Sequence, residues 1–299
     1  MPGDQNGLVG LIRRHPLAAF LLWLSTVGLA IGFIPVIAKA GWAIALPLQP
    51  FAIAETVVGA LLPAVVITRI VDGSQGLRDL GRHAFRSRVP ARWYAFSLLV
   101  LPLPALVLAI ALFGLPDATP STLLLAVLAG LLLQGAITFL TINFVEEIAW
   151  MGFFQARLQP SRGPALAAVL TAAGFTLMHL PLFVVNGTPL VVIVPLFFVM
   201  AIGFRALIGW VYNSTDSLFL VGVLHAAGNA ATGGSGLGEG LLPRLYDSSW
   251  VSVLHTLAAF VIGLALIAAT RGRLGAPLGV QRAQASDHAV EPSAVGARS

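Results

Sequence analysis

Cysteine is absent from the 299 residues, which excludes disulfides, thiolate metal sites and a cysteine nucleophile. Charge is nearly as scarce. Charged residues make up 10% of the chain and hydrophobic ones 58%, with a mean hydropathy of +0.91, whereas a soluble domain carries about 25% charged residues. This is the composition of a polytopic membrane protein, in which each charge either marks a membrane boundary or demands an explanation inside it. The HExxH helix of zinc proteases is missing, and no serine stands in the histidine motifs as a nucleophile. The net charge of +5 comes largely from arginines between apolar runs and in the tail. That pattern fits topology determinants and speaks against nucleic acid as a partner.

Apolar runs of about 20 residues suffice to cross a hydrocarbon core of about 30 Å. Eight occur, near residues 17–38, 47–70, 94–114, 121–157, 163–185, 189–212, 217–232 and 250–270. They predict an all-α transmembrane helix bundle of about eight spans. The fourth run is overlong, so it is expected to be broken or strongly tilted. Cytoplasmic loops retain positive charge, and Arg69, Arg78, Arg82, Arg86, Arg88 and Arg92 follow the second run. Alternation then places that loop on the same side as Arg13, Arg14, Arg157, Arg162, Arg271 and Arg273, with both termini cytoplasmic. The chain divides into spans one to three (1–119, with the arginine-rich loop at 71–93), a core (120–232), an outer loop and last span (233–273) and a polar tail (274–299) expected to be disordered. Within the loop, the stretch from Leu77 to Phe96 reads as an interfacial helix with arginines toward headgroups and Leu77, Leu80 and Phe85 toward acyl chains.

Inside the runs stand polar residues that lipid disfavours. Counting about 1.5 Å per residue from the cytoplasmic turns, Glu146 lies ~16 Å deep, His225 ~14 Å and His179 ~25 Å. Phe175 and His179, His225 and Asn229, and Glu146 and Trp150 are each four residues apart, so each pair shares a helix face. Two glutamates, two histidines and an asparagine on three helices point to one polar interior. A carboxylate withdrawn from water holds a proton more readily, which suits it to act as general base on a water fixed by a histidine. A second histidine with a nearby asparagine can stabilise a developing oxyanion. Together these parts hydrolyse an amide without a covalent intermediate. Glu146, His179 and His225 also form an acceptable ligand set for a divalent metal such as zinc, and spacing does not decide between metal and water. Glu55 and His255 have blander readings, as a packing or topology feature and as a boundary residue.

These residues resemble the CPBP group, also called Abi, which contains CAAX-processing endopeptidases and bacteriocin-processing or self-immunity proteins. Its first motif, a Glu-Glu pair followed after three residues by Arg, is similar to "EEIAWMGF"; its second, Phe and His four apart, to "FTLMH" continuing into "HLPLF"; its third, His and Asn four apart, to "HAAGN". The approach "GWVYNSTDSL" is similar too. The likeness covers roughly residues 120–232, on the fourth to seventh spans. It implies that Glu146 is the base on water held with His179, that His225 and Asn229 bind the oxyanion, and that Glu147 supports the site. It further implies an intramembrane endopeptidase of a bacterial plasma membrane, whose partners are the lipid bilayer and a membrane-associated peptide or protein substrate. Substrate and oligomeric state are not legible.

The sequence departs from the family at Met151, where the motif arginine is expected. Three consequences are open: Arg205 of the sixth span supplies the cation, Glu147 keeps a proton and donates a hydrogen bond, or the protein is a catalytically weak immunity or scaffold protein. A proton-coupled carrier is a further alternative, disfavoured by the lack of repeated halves. The orientation has its own test. Reporter fusions after residue 90 and after residue 274 should report the same compartment; opposite compartments would overturn the topology.

Overall fold

The computed structural model describes residues 7–233 and 237–276. Among these every regular element is a helix. Five helices are long and apolar enough to cross a membrane: Leu48–Val71, Ala91–Phe113, Pro120–Arg162, Leu190–Thr215 and Ser249–Ala269. All eight apolar runs are helical, the other three being a bent pair and two shorter helices. Leu8–Arg14 and Pro16–Gly32 pass the test of length only together, and they meet at 109°. Pro16 explains the bend: its ring pushes the preceding residue out of the helical region, and His15 sits at φ −132°, ψ 57°. The fifth and seventh runs yield helices of 15 residues, Pro164–Met178 and Leu218–Thr232, which rise only about 22 Å.

The fourth helix, Pro120–Arg162, runs for 43 residues and so is neither broken nor confined to the bilayer's thickness. It alternates ordinary turns with wide i→i+5 turns at Ala126–Leu133, Phe139–Asn143 and Ile148–Gln155. Such wide turns re-aim the faces of a helix and recur at functional sites. Here they flank Phe144–Glu147, the single ordinary turn that carries both glutamates.

Helix seven is the axle. It packs against helices three, four, six and eight, and most of its residues are buried. Its ends are well specified: the Ser217 side chain accepts from the Leu220 amide, and Gly233 closes it at φ +75°. Leu241 and Leu242 donate to the carbonyls of Ala230 and Ala231, so the outer loop satisfies groups that a buried helix end would leave orphaned. Helices six and eight cross where Gly203 faces Gly263 and Phe260, with no room for a side chain at either glycine. Close backbone approach at small residues is how helices associate in lipid, where apolar burial alone gives no advantage. Around Trp150, which is fully buried, Phe20, Phe154 and Phe175 pack with ring centroids at 5.4–5.9 Å.

The arginine clusters gather at one end of the bundle. Arg13 donates to the Ile70 carbonyl at 3.2 Å, Arg157 pairs with Asp72, Ser217 bonds the Arg86 carbonyl and Ala165 bonds that of Gly272. The loop helix Gly73–Ala84 lies at this end. Leu80 does not face acyl chains as expected; it meets Leu218 over Gly152, against the bundle. Leu274, assigned to the tail from sequence, is buried with Ala168 and Ala206, and its carbonyl accepts from Asn213 at 2.9 Å. The remainder of the expected disordered tail, 277–299, lies outside the described residues.

The crossing of helices six and eight gives a stability prediction. Gly203→Leu forces a side chain into the Phe260 backbone, an overpacking that costs about 1–3 kcal/mol or more. Thermal unfolding in detergent should show a clearly lowered midpoint; an unchanged midpoint would contradict the crossing.

Candidate active site

The polar residues assemble around Glu147. Its carboxylate accepts from Nη1 of Arg205 at 2.9 and 3.0 Å, one contact to each oxygen, and Oε1 also accepts from Nδ1 of His225 at 2.9 Å. Three helices meet there: four, six and seven. Arg205 and Glu147 are both fully buried. Nε of Arg205 donates to Oε1 of Gln155 at 3.0 Å, and Gln155 returns a bond from Nε2 to the Arg205 carbonyl at 3.1 Å. Gly209, one turn beyond Arg205, makes room for that amide: a side chain there would begin 2.6 Å from Nε2 of Gln155.

This pair is not a source of net stability. Taking two ions out of water costs several kcal/mol each, and attraction repays that only when the remaining donors and acceptors are satisfied. Gln155 and His225 supply part of that satisfaction, and one guanidinium nitrogen, Nη2, has no hydrogen-bond partner among the described residues. What the network delivers is position. The two contacts from Arg205 suit an ionised carboxylate, to which Nδ1–H of His225 then donates. Met151 is fully buried in the apolar core, and the cation comes from Arg205 instead.

Glu146 is held more loosely. Oε2 accepts from the Asn143 amide at 3.4 Å and lies 3.7 Å from Nδ1 of His225. Oε1 has no hydrogen-bond partner among the described residues and is not among the sealed polar atoms. The four charged positions, Glu146, Glu147, Arg205 and His225, sum to zero in two ways: both carboxylates ionised with His225 as imidazolium, or a proton on Glu146 with His225 neutral.

His179 is placed by a helix break. Helix five ends at Met178, and a short helix, Leu180–Val185, begins with Pro181 in its first turn. In a continuous helix Pro181 would have no N–H for the carbonyl of Leu177 and its ring would clash there. The His179 amide turns to Thr176 at 3.1 Å, and the vacated Phe175 carbonyl bonds Nδ1 of His179 at 2.8 Å. A carbonyl only accepts, so Nδ1 carries the proton and Nε2 keeps its lone pair. His225, donating from Nδ1 to Glu147, likewise turns Nε2 away from its anchor. The two imidazoles flank Phe175, with ring centroids 4.5 and 6.1 Å from it. His179 lies beyond 4 Å of either glutamate, since it forms no ion pair among the described residues. Asn229, one turn after His225, is half-buried and makes no side-chain hydrogen bond among them. His255 bonds Thr232 at 2.6 Å, in the last turn of helix seven.

Among the described residues no three His, Asp or Glu side chains are grouped to hold a metal ion. Glu146, His179 and His225 are not grouped in that way, His179 forming no ion pair with either glutamate among the described residues, while Nε2 of each histidine is the ring nitrogen its anchor leaves open. Two contributors were not singled out from sequence, Asn143 and Gln155. Their signal was available: each is an amide in an apolar stretch, three residues before Glu146 and eight after Glu147, hence close to the glutamates' face.

A comparison with family models places this region. Residues 128–231 match the Rce1-like family. The description is "Type II CAAX prenyl endopeptidase Rce1-like", and the match is consistent with a CPBP-group intramembrane peptidase. It takes in Asn143, both glutamates, Gln155, His179, Arg205, His225 and Asn229, and leaves out the first three apolar runs. No curated protein matches the chain.

The role of Arg205 is open to a double-mutant cycle. Arg205→Met should cost about 3–5 kcal/mol of stability by stranding a buried carboxylate, and Met151→Arg, four residues from Glu147 on the same helix, should recover part of it. A coupling energy near zero between the two substitutions would show that they do not serve the same carboxylate.

Proposed function

We propose that this protein is an intramembrane endopeptidase that hydrolyses a peptide bond of a membrane-associated substrate with a water activated by Glu146. The observation that carries the reading is the asymmetry of the glutamate pair: Glu147 is tied by Arg205 and His225, while Glu146 keeps an oxygen free beside them. The free oxygen takes a proton from water as the water oxygen bonds to the substrate carbonyl carbon. Nε2 of His179 accepts the second water hydrogen bond and fixes the direction of attack. The tetrahedral oxyanion is met by Nε2–H of the His225 imidazolium and the free amide of Asn229, donors whose value lies in being fixed before the charge appears. Collapse breaks the C–N bond, and the proton held by Glu146 passes to the leaving amine. Every step uses the side chains and water alone.

The match to prenyl endopeptidases supports a peptidase rather than a carrier, and the Glu147–Arg205 pair supports compensation for Met151 rather than a weak scaffold. The gathering of arginines at one end supports cleavage in the cytoplasmic half of the bilayer, with both termini on that side.

Proteomic comparison of membranes carrying wild type, Glu146→Gln or His179→Ala tests the assignment. Both variants should insert and remain folded yet lose cleavage by about 10²-fold or more, the scale for a removed general base. Wild-type product levels from either would overturn it, and a carrier would leave the peptide products of all three identical.

A further inference from the structure

The second apolar run carries a carboxyl group that the reaction above does not use. Glu55 is 5% exposed and opens a stretch of wide turns, Glu55–Leu61. Its inward position follows from how the first two runs cross. Gly28 and Gly59 meet backbone to backbone: a side chain on Gly59 would begin 2.6 Å from the Gly28 Cα. One turn away on each antiparallel helix, Gly32 faces Glu55. The space that a Gly32 side chain would fill is taken by Oε2 of Glu55 on one side and by Cγ of Pro181, 2.7 Å from the same point, on the other.

The glycine crossing thus presses a carboxyl group against the turn that breaks helix five, two residues from His179. On its other flank the Glu55–Leu61 stretch packs on Phe144–Glu147, and Glu55 lies within electrostatic reach of Glu146. Oε1 of Glu55 is sealed and has no hydrogen-bond partner among the described residues. Arg205 is bound to Glu147 and Gln155. The ionisable group that bears on Glu55 is therefore Glu146 from helix four, while the first run brings Gly32 against its carboxyl. A packed leucine would fill this position without stranding a polar atom, so the carboxyl needs a reason to be there.

We propose that Glu55 is a positioning residue of the hydrolytic site, whose carboxyl, set between the first run and the turn after His179, acts across the packed stretch Phe144–Glu147 on Glu146 and so holds the base in the orientation that meets the attacking water. The proposal rests on the reading of Glu146 as base. Glu55 acts through Glu146 and touches neither the peptide nor the reacting atoms. It also lies outside residues 128–231, so the matched family segment does not assign it.

Two measurements test this. In the first, cleavage of a substrate found by the membrane comparison is followed with Glu55→Leu and Glu55→Gln. The leucine variant should lose about tenfold or more in kcat with KM nearly unchanged, and the glutamine variant, which still donates and accepts hydrogen bonds, should stay within about threefold of wild type. A fully active leucine variant, or a loss confined to KM, overturns the proposal. The second needs no substrate: a hydrophobic carbodiimide, which reacts with protonated carboxyl groups in membranes, is applied to the intact protein and Glu55 labelling is quantified by mass spectrometry. Removing the neighbouring negative charge in Glu146→Gln favours ionisation of Glu55, so its labelling should slow by about threefold or more. Equal rates in the two proteins, or no labelling of Glu55, overturns the coupling. Coupled labelling in a protein that cleaves nothing would instead leave Glu55 paired with Glu146 and reject the peptidase reading.

Discussion

A carboxylate and a guanidinium, both sealed from water, face each other between helices four and six, and the polar interior is organised around them. Glu147 and Arg205 could not be removed from water singly, and their mutual attraction, with Gln155 beside it, fixes the relative rotation of the two helices. His225 enters the same network from helix seven and thereby acquires both its tautomer and its direction. Glu146, one residue away on the chain, inherits its location from this arrangement while being left free of it. The energetic burden falls on one glutamate so that the other is available.

Parts of this were legible in the sequence because helical period and boundary charge are local properties. Counting from the cytoplasmic turns put Glu146 and His225 at nearby depths, and the structure brings His225 onto Glu147 and within 3.7 Å of Glu146. The same count put His179 deeper, and the structure sets it apart from the glutamates by more than ion-pair distance. What could not be read was lateral. Asn143 and Gln155 join the network through the phase of helix four, which wide turns shift away from a regular 3.6-residue period. Leu80 faces protein rather than lipid because of a tertiary contact with Leu218 that no single-helix pattern announces.

The helices differ in length for a related reason. Hydropathy counts apolar residues, but it does not register where a helix turns. Pro16 bends the first run and Pro181 opens a second, short helix within the fifth, while the seventh run is a 15-residue helix buried by its neighbours on nearly all sides. Apolar runs enclosed by protein look the same in composition as runs that face lipid.

The break at His179 extends this point from architecture to chemistry. The ring's proton sits on Nδ1 because that nitrogen meets the Phe175 carbonyl, which the His179 amide leaves for Thr176 where the helix breaks beside Pro181. The acid–base character of this histidine is thus written in an imino acid that carries no ionisable group. Residues of this kind escape any inventory of reactive side chains, and a chain that kept every histidine and glutamate but lost Pro181 would inherit the parts of the site with a differently wired imidazole.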